Sequence, residues 1–129
     1  MNLPSLTVAA ALVIALLGCG KKRVDASAEL QKGFREAQPE VQQEVQKVAA
    51  DLQLGKYAEA VAAMNRALWV QQQQQLQARQ AAALSEQQKR AAEAVILQTR
   101  QALQQNPNLN SPQLHKAMSD LILRTHGEN

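Results

Sequence analysis

Few side chains in these 129 residues can act as nucleophile, proton shuttle or metal ligand near neutral pH. There is one cysteine, Cys19, and there are two histidines, His115 and His126. The histidines are 11 residues apart, not the four that put two imidazoles on one helix face as a zinc pair. A lone cysteine excludes an internal disulfide. Glu36, Glu40 and Glu44 recur every fourth residue, which aligns three carboxylates on one face of a helix. Paired carboxylates can carry acid–base work, but no partner residue accompanies these, and they read as a solvated face. No glycine-rich phosphate loop and no Ser-His-Asp set can be assembled. The residue types argue against an enzyme, and they imply no cofactor, no metal and no small-molecule substrate.

What must position Cys19 is the segment around it. Leu6 to Leu17 reads LTVAAALVIALL, an apolar run of 12 interrupted only by Thr7. Twelve helical residues span roughly 18 Å, short of the ~20 residues that a bilayer crossing needs. The length suits the apolar region of a secretory signal. Leu16, Leu17 and Gly18 then lead directly into Cys19, and Gly20, Lys21, Lys22 and Arg23 follow.

This arrangement resembles the lipobox of bacterial lipoproteins, with a Leu three residues before the Cys and a small residue directly before it. The resemblance implies that the Cys19 thiol receives a diacylglyceryl group and that cleavage falls between Gly18 and Cys19. The new amine of Cys19 would be acylated as well, palmitate being a typical chain. Two or three chains make such anchoring stable where one does not, because each buried CH₂ contributes about 0.8 kcal/mol. The resulting division is 1–18 as signal peptide, 19–27 as lipidated Cys and polar tether, and 28–129 as helical domain. The expected address is a membrane of the bacterial cell envelope, with the body periplasmic. Gly20 is not the Asp that in some bacteria signals inner-membrane retention, and inner and outer membrane both stay open.

A second orientation is also open. The segment before the apolar run, MNLPS, has no Lys or Arg, while three cations follow it. By the positive-inside rule that order favours an uncleaved signal anchor with a cytoplasmic body. A start further upstream, with a basic segment of its own, would reconcile the pattern with export.

The elements of the body follow from periodicity. Ala and Gln dominate, with 23 and 20 copies, and aromatic content is 2%, namely Phe34, Tyr57 and Trp69. Both common residues favour helices, and a core so poor in aromatics must be thin. Leu30, Phe34, Ala37, Val41, Val45, Val48 and Leu52 advance in steps of three and four, one stripe of a helix. Pro39 interrupts that stripe: a short helix up to about Ala37 is followed by either a new helix or a kink from Pro39, and this second stretch stops at Leu54-Gly55. Ser85 to Gln88 has the form of a capping box and opens a long helix with Ala92, Val95, Ile96, Thr99 and Leu103 buried. Ser111-Pro112 opens the last helix, whose stripe is Leu114, Ala117, Met118, Leu121 and Ile122 and whose stop is Gly127. The fold class is all-α: four or five amphipathic helices in antiparallel hairpins.

Between Gly55 and Leu68 the residues Gly55, Tyr57, Glu59-Ala60, Met64 and Ala67 occur in an order that resembles the turn and second helix of a tetratricopeptide repeat. The preceding helix departs from that family at Glu44, Lys47, Val48 and Asp51, and there is one copy. The resemblance therefore implies a single tetratricopeptide-like hairpin, not a repeat array. It also implies a protein-binding role, for which Tyr57, Met64 and Trp69 are the candidate contact residues. Trp69 has two readings, core filler first and exposed anchor second. Gln71 to Gln75 read as a polar continuation of the helix, or else as a sticky low-complexity segment. Trp69, Leu76 and Ala83 fall seven apart, the spacing of a seam that faces a neighbouring helix.

A net charge of +3 with no basic stripe beyond Lys21–Arg23 leaves out nucleic acid as a partner. The expectation is a small lipid-anchored, non-enzymatic adaptor. Its partners would be the bilayer and another envelope protein. The alternative is a homo-oligomeric structural lipoprotein of the envelope.

Overall fold

The computed structural model of the chain describes residues 24–80 and 83–126. The signal segment, Gly18, Cys19 and the Lys21–Arg23 cluster lie outside the described residues, as does Gly127. The described chain is all-helical, with no strand: α1 (Ser27–Phe34), α2 (Pro39–Gln53), α3 (Tyr57–Gln77), α4 (Glu86–Gln105), a 3₁₀ turn (Pro107–Leu109) and α5 (Pro112–His126).

Each boundary has a local cause. Pro39 sits in the first turn of α2 behind an extended Gln38, since the residue before a proline is pushed out of the helical region. The stripe is thus broken at Pro39, not kinked. Gln42 closes the break from the other side: its Nε2 donates to the Arg35 carbonyl at 2.7 Å. Gly55, at φ +76°, ends α2. The Gly55 N–H donates to the Leu52 carbonyl and the Lys56 N–H to Asp51, the paired bonds of a Schellman motif. A Cβ at Gly55 would meet nothing within 4 Å, so the demand is purely conformational. Gly55→Ala is expected to cost about 1 kcal/mol, read as a lower urea midpoint with an unchanged slope.

The same motif ends α3 without a glycine. Arg79 takes φ 59°, its N–H donating to Leu76 and that of Gln80 to Gln75. A left-handed residue with a Cβ costs roughly 1–2 kcal/mol, so Arg79→Gly should raise stability by up to about 1 kcal/mol. A lower urea midpoint for that variant would contradict this account of the stop. At α4 both halves of the capping box form: Gln88 N–H donates to Ser85 Oγ and Ser85 N–H to Gln88 Oε1. At α5 the Leu114 N–H donates to Ser111 Oγ at 3.1 Å.

The helices alternate in direction. Val24 and Ala26 N–H donate to Gln101 and Gln98 of α4, while Gln87, further back on α4, donates to Glu29 of α1. That order makes α1 antiparallel to α4. Glu40 and Glu44 of α2 meet Gln74 and Arg66 of α3, again antiparallel. Asn65 of α3 donates to the Ala117 carbonyl of α5, and His126 at the end of α5 meets Glu93 in the first half of α4. The five described helices therefore alternate in direction along the chain. The most extensive packing is the α2–α3 hairpin, followed by α1 on α4 and α3 beside α5. Sequence neighbours α3 and α4 touch little, so partners distant in sequence close much of the bundle.

The core follows the expected stripes with small residues between them. Leu30, Phe34, Val41, Val45, Val48 and Leu52 are buried, and so are Val95, Ile96, Leu114, Met118 and Leu121. Ala60, Ala63 and Ala67 of α3 and Ala91 and Ala92 of α4 are fully buried, which lets helix axes approach closely. Gly33 serves the same end: a Cβ there would lie 3.1 Å from the Gln87 carbonyl oxygen. One boundary shifts. Polar composition extends the tether through Ser27, but Ala26 is fully buried and Val24 is already bonded to α4. Among the described residues, packing extends to Val24.

Candidate functional site

Helix α3 carries all three candidate contact residues, and it does not present them together. Tyr57 is half-buried at its first residue. Met64 is 0% exposed. It fills the core, so the expectation that it contacts a partner is corrected: the large residue in this groove holds helices together. Trp69 is 52% exposed, which reverses the first reading of it as core filler and leaves the second. The physical reason is the helix wheel. Ala60, Met64, Ala67 and Gln71 make the buried face together with Val61 and Leu68, and that face already spans the width that α2 and α5 cover. Trp69 falls on the outer stripe of Ala62, Asn65, Trp69, Gln72 and Leu76.

That stripe has two halves. Its lower half lies under α5, where Asn65 Nδ2 reaches the Ala117 carbonyl at 3.0 Å. Its upper half is open, with Leu76 53% exposed. Trp69 and Leu76 stand seven residues apart, about 10 Å along the axis, flanked by amide side chains. An aromatic and an aliphatic anchor at that spacing suit a helix-sized partner surface. The expected continuation of this seam to Ala83 does not occur, because α3 stops at Gln77 and Ala83 lies outside any helix.

The five glutamines are helical, as the polar-continuation reading has it, and several are structural. Gln71 is 8% exposed and exchanges two hydrogen bonds with Gln88 of α4, at 2.8 and 2.9 Å. A primary amide donates and accepts, so two of them satisfy each other where a single one would be costly. Gln74 donates to Glu40 and Gln75 to the Ala83 carbonyl. Around them, at the α1–α2 and α3–α4 end, lies an open cleft of about 430 Å³ with Gly33, Gln71, Gln74, Gln75 and Gln88 in its walls. Nothing in the sequence pattern marked these amides as cross-links.

The chemistry-bearing side chains disperse. His115 is exposed, and His126, at the far end of α5, faces Glu93 at 3.4 Å. Glu40 and Glu44 are engaged with α3, and Glu36 borders the glutamine cleft. Asp51, where the tetratricopeptide family has a tyrosine, is buried and meets the Lys47 ammonium at 3.2 Å, the pairing that a buried carboxylate needs. Among the described residues no three His, Cys, Asp or Glu side chains gather as a metal site. No described helix is long and apolar enough to cross a membrane. The chain matches no family model, no curated protein and no solved structure.

Proposed function

We propose that this chain is a lipid-anchored protein of the bacterial envelope, a non-enzymatic adaptor whose helical body holds another protein. The observation that carries the anchor is Cys19: the sole cysteine, directly after Leu-Leu-Gly at the end of a 12-residue apolar run. Support for the adaptor role comes from the open half of the α3 stripe. There Trp69 and Leu76 stay half-exposed, whereas Phe34 is buried and Tyr57 is half-buried. Trp is enriched among residues that dominate interface energetics.

The anchor is tested by the intact mass of the chain recovered from membranes, alongside Cys19→Ala. A mature chain that begins at Cys19 and carries acyl mass is expected, as is a Cys19→Ala chain that is neither cleaved nor acylated. A full-length chain unaffected by Cys19→Ala would instead make the apolar run the anchor and put the body on the cytoplasmic side. The adaptor role is tested by a photo-crosslinking residue at Trp69. One discrete adduct with a second protein is expected; an adduct of twice the chain's own mass would point to a homo-oligomer instead.

A further inference from the structure

The alternating helices sort the loops of the bundle into two ends. The entry at Val24, the turn Leu54-Gly55-Lys56 between α2 and α3, and the α4–α5 connection at Asn106–Ser111 share one end. The α1–α2 and α3–α4 connections and the end of α5 share the other. The first end holds Leu54, the most exposed large apolar side chain described, at 69%. Leu54 is the C-cap of α2, and the hydrogen bonds that close the helix are made by Gly55 and Lys56. Nothing in the cap calls for an apolar side chain there. In a Schellman motif the apolar contact falls between C″ and C3, here Lys56 and Asp51.

We propose that this end of the bundle rests on the lipid surface, with Leu54 inserted at the interface and Lys56 at the headgroups. The inference rests on acylation of Cys19. Given that anchor, chain length fixes the geometry. Only five residue steps separate Cys19 from Val24, and they reach at most about 18 Å. Val24 itself is bonded to Gln101, so the body cannot swing away on a longer tether. The occupant is a lipid surface, not a protein, because the short connection keeps Val24, at the same end of the bundle as Leu54, within about 18 Å of the anchored residue. The charges agree in sign. Lys21, Lys22 and Arg23 directly precede Val24, and Lys56 is exposed beside Leu54. Asp25 and Glu59, both exposed at this end, offset two of these four, and Lys116 is paired with Asp120. Cations near anionic headgroups each add about 1 kcal/mol of attraction. The open stripe of Trp69 and Leu76 then lies on the flank of the bundle, about 18 to 28 Å along α3 from its first residue.

The test uses the full chain, recovered with its anchor and placed in vesicles of phosphatidylcholine and phosphatidylglycerol. Acylation occupies the Cys19 thiol, so Gln53→Cys and Gln77→Cys each offer one thiol for an environment-sensitive dye. These are the last residues of α2 and α3, at opposite ends, and both are exposed. Spin-labelled lipid should quench the dye at 53 at least twofold and leave the dye at 77 unchanged. Adding Leu54→Ser should abolish the quenching at 53. Equal, unquenched signals at both positions, in a chain whose mass confirms acylation, overturn the docking and leave the anchor standing. Quenching that survives Leu54→Ser overturns the insertion of Leu54. A chain without acyl mass overturns anchor and docking together.

Discussion

Phe34→Ala should lower the stability of the body by about 3–5 kcal/mol, the usual cost of removing a fully buried aromatic ring. Phe34 is 2% exposed and is the only aromatic side chain in the fully enclosed core. It ends α1 and faces α2 beside Leu30 and Val45. Helix α1 has eight residues, too few to hold a helix by local bonds alone. Its order depends on Ala26, Leu30 and Phe34 in the core and on the α4 glutamines that hold Val24, Ala26 and Glu29. Loss of the ring should therefore do two things. The urea midpoint falls, and the amide protons of α1 exchange ahead of those of α3. A midpoint equal to that of the unaltered chain would refute the assignment of Phe34 to the cooperative core. The effect matters beyond stability, because α1 is the element that connects the packed body to the residues preceding Val24. An α1 that opens readily lengthens the link and frees the body from whatever surface its entry end touches.

How much of this was legible in the sequence depends on what kind of residue carried the information. Boundaries written in backbone chemistry could be read: Pro39 and Pro112 as helix starts, Ser85 with Gln88 as a capping box, Gly55 as a stop. The stripes from Leu30 to Leu52 and from Leu114 to Ile122 also fall where periodicity puts them. What could not be read was decided by tertiary contact. Arg79 ends α3 in a left-handed conformation that arginine does not advertise, and so the seven-residue spacing carried the seam on to Ala83. Trp69 was ambiguous because α3 buries a broad face against both α2 and α5, and a broad face leaves no single stripe from which to judge the opposite side. The glutamines were opaque for a different reason. An amide both donates and accepts, so its partner is whatever group the fold brings near: Gln88 for Gln71, the Val24 N–H for Gln101. The tether was overextended because GKKRVDAS is polar by composition, whereas Ala26 is buried by position. Cys19 stands apart, since its context is a matter of sequence alone.

The candidate contact residues separate by burial, and that separation yields the second large effect. Met64→Ala should destabilise the body by about 2–5 kcal/mol, the range for emptying a fully enclosed large side chain. Met64 lies on the face of α3 with Ala60 and Ala67 on either side. Those alanines bring the neighbouring helices close, and the long thioether fills the space between them. Alanine at 64 would put three small residues in a row along the contact and leave a cavity that close-packed neighbours cannot fully collapse. Trp69→Ala should behave in the opposite way. With half its surface in solvent, truncation is expected to shift stability by no more than about 1 kcal/mol, while weakening capture of the protein partner at least tenfold if that ring is an interface anchor. The two variants, compared by urea denaturation and by partner capture from solubilised envelope, give a crossed pattern: Met64→Ala loses stability and keeps binding at low temperature, whereas Trp69→Ala keeps stability and loses binding. A Met64→Ala chain as stable as the original would mean that the α2–α3 groove is loosely packed. The small-residue logic of the α2–α3 hairpin would then fail. A Trp69→Ala chain that still binds would move the partner surface off the α3 stripe altogether.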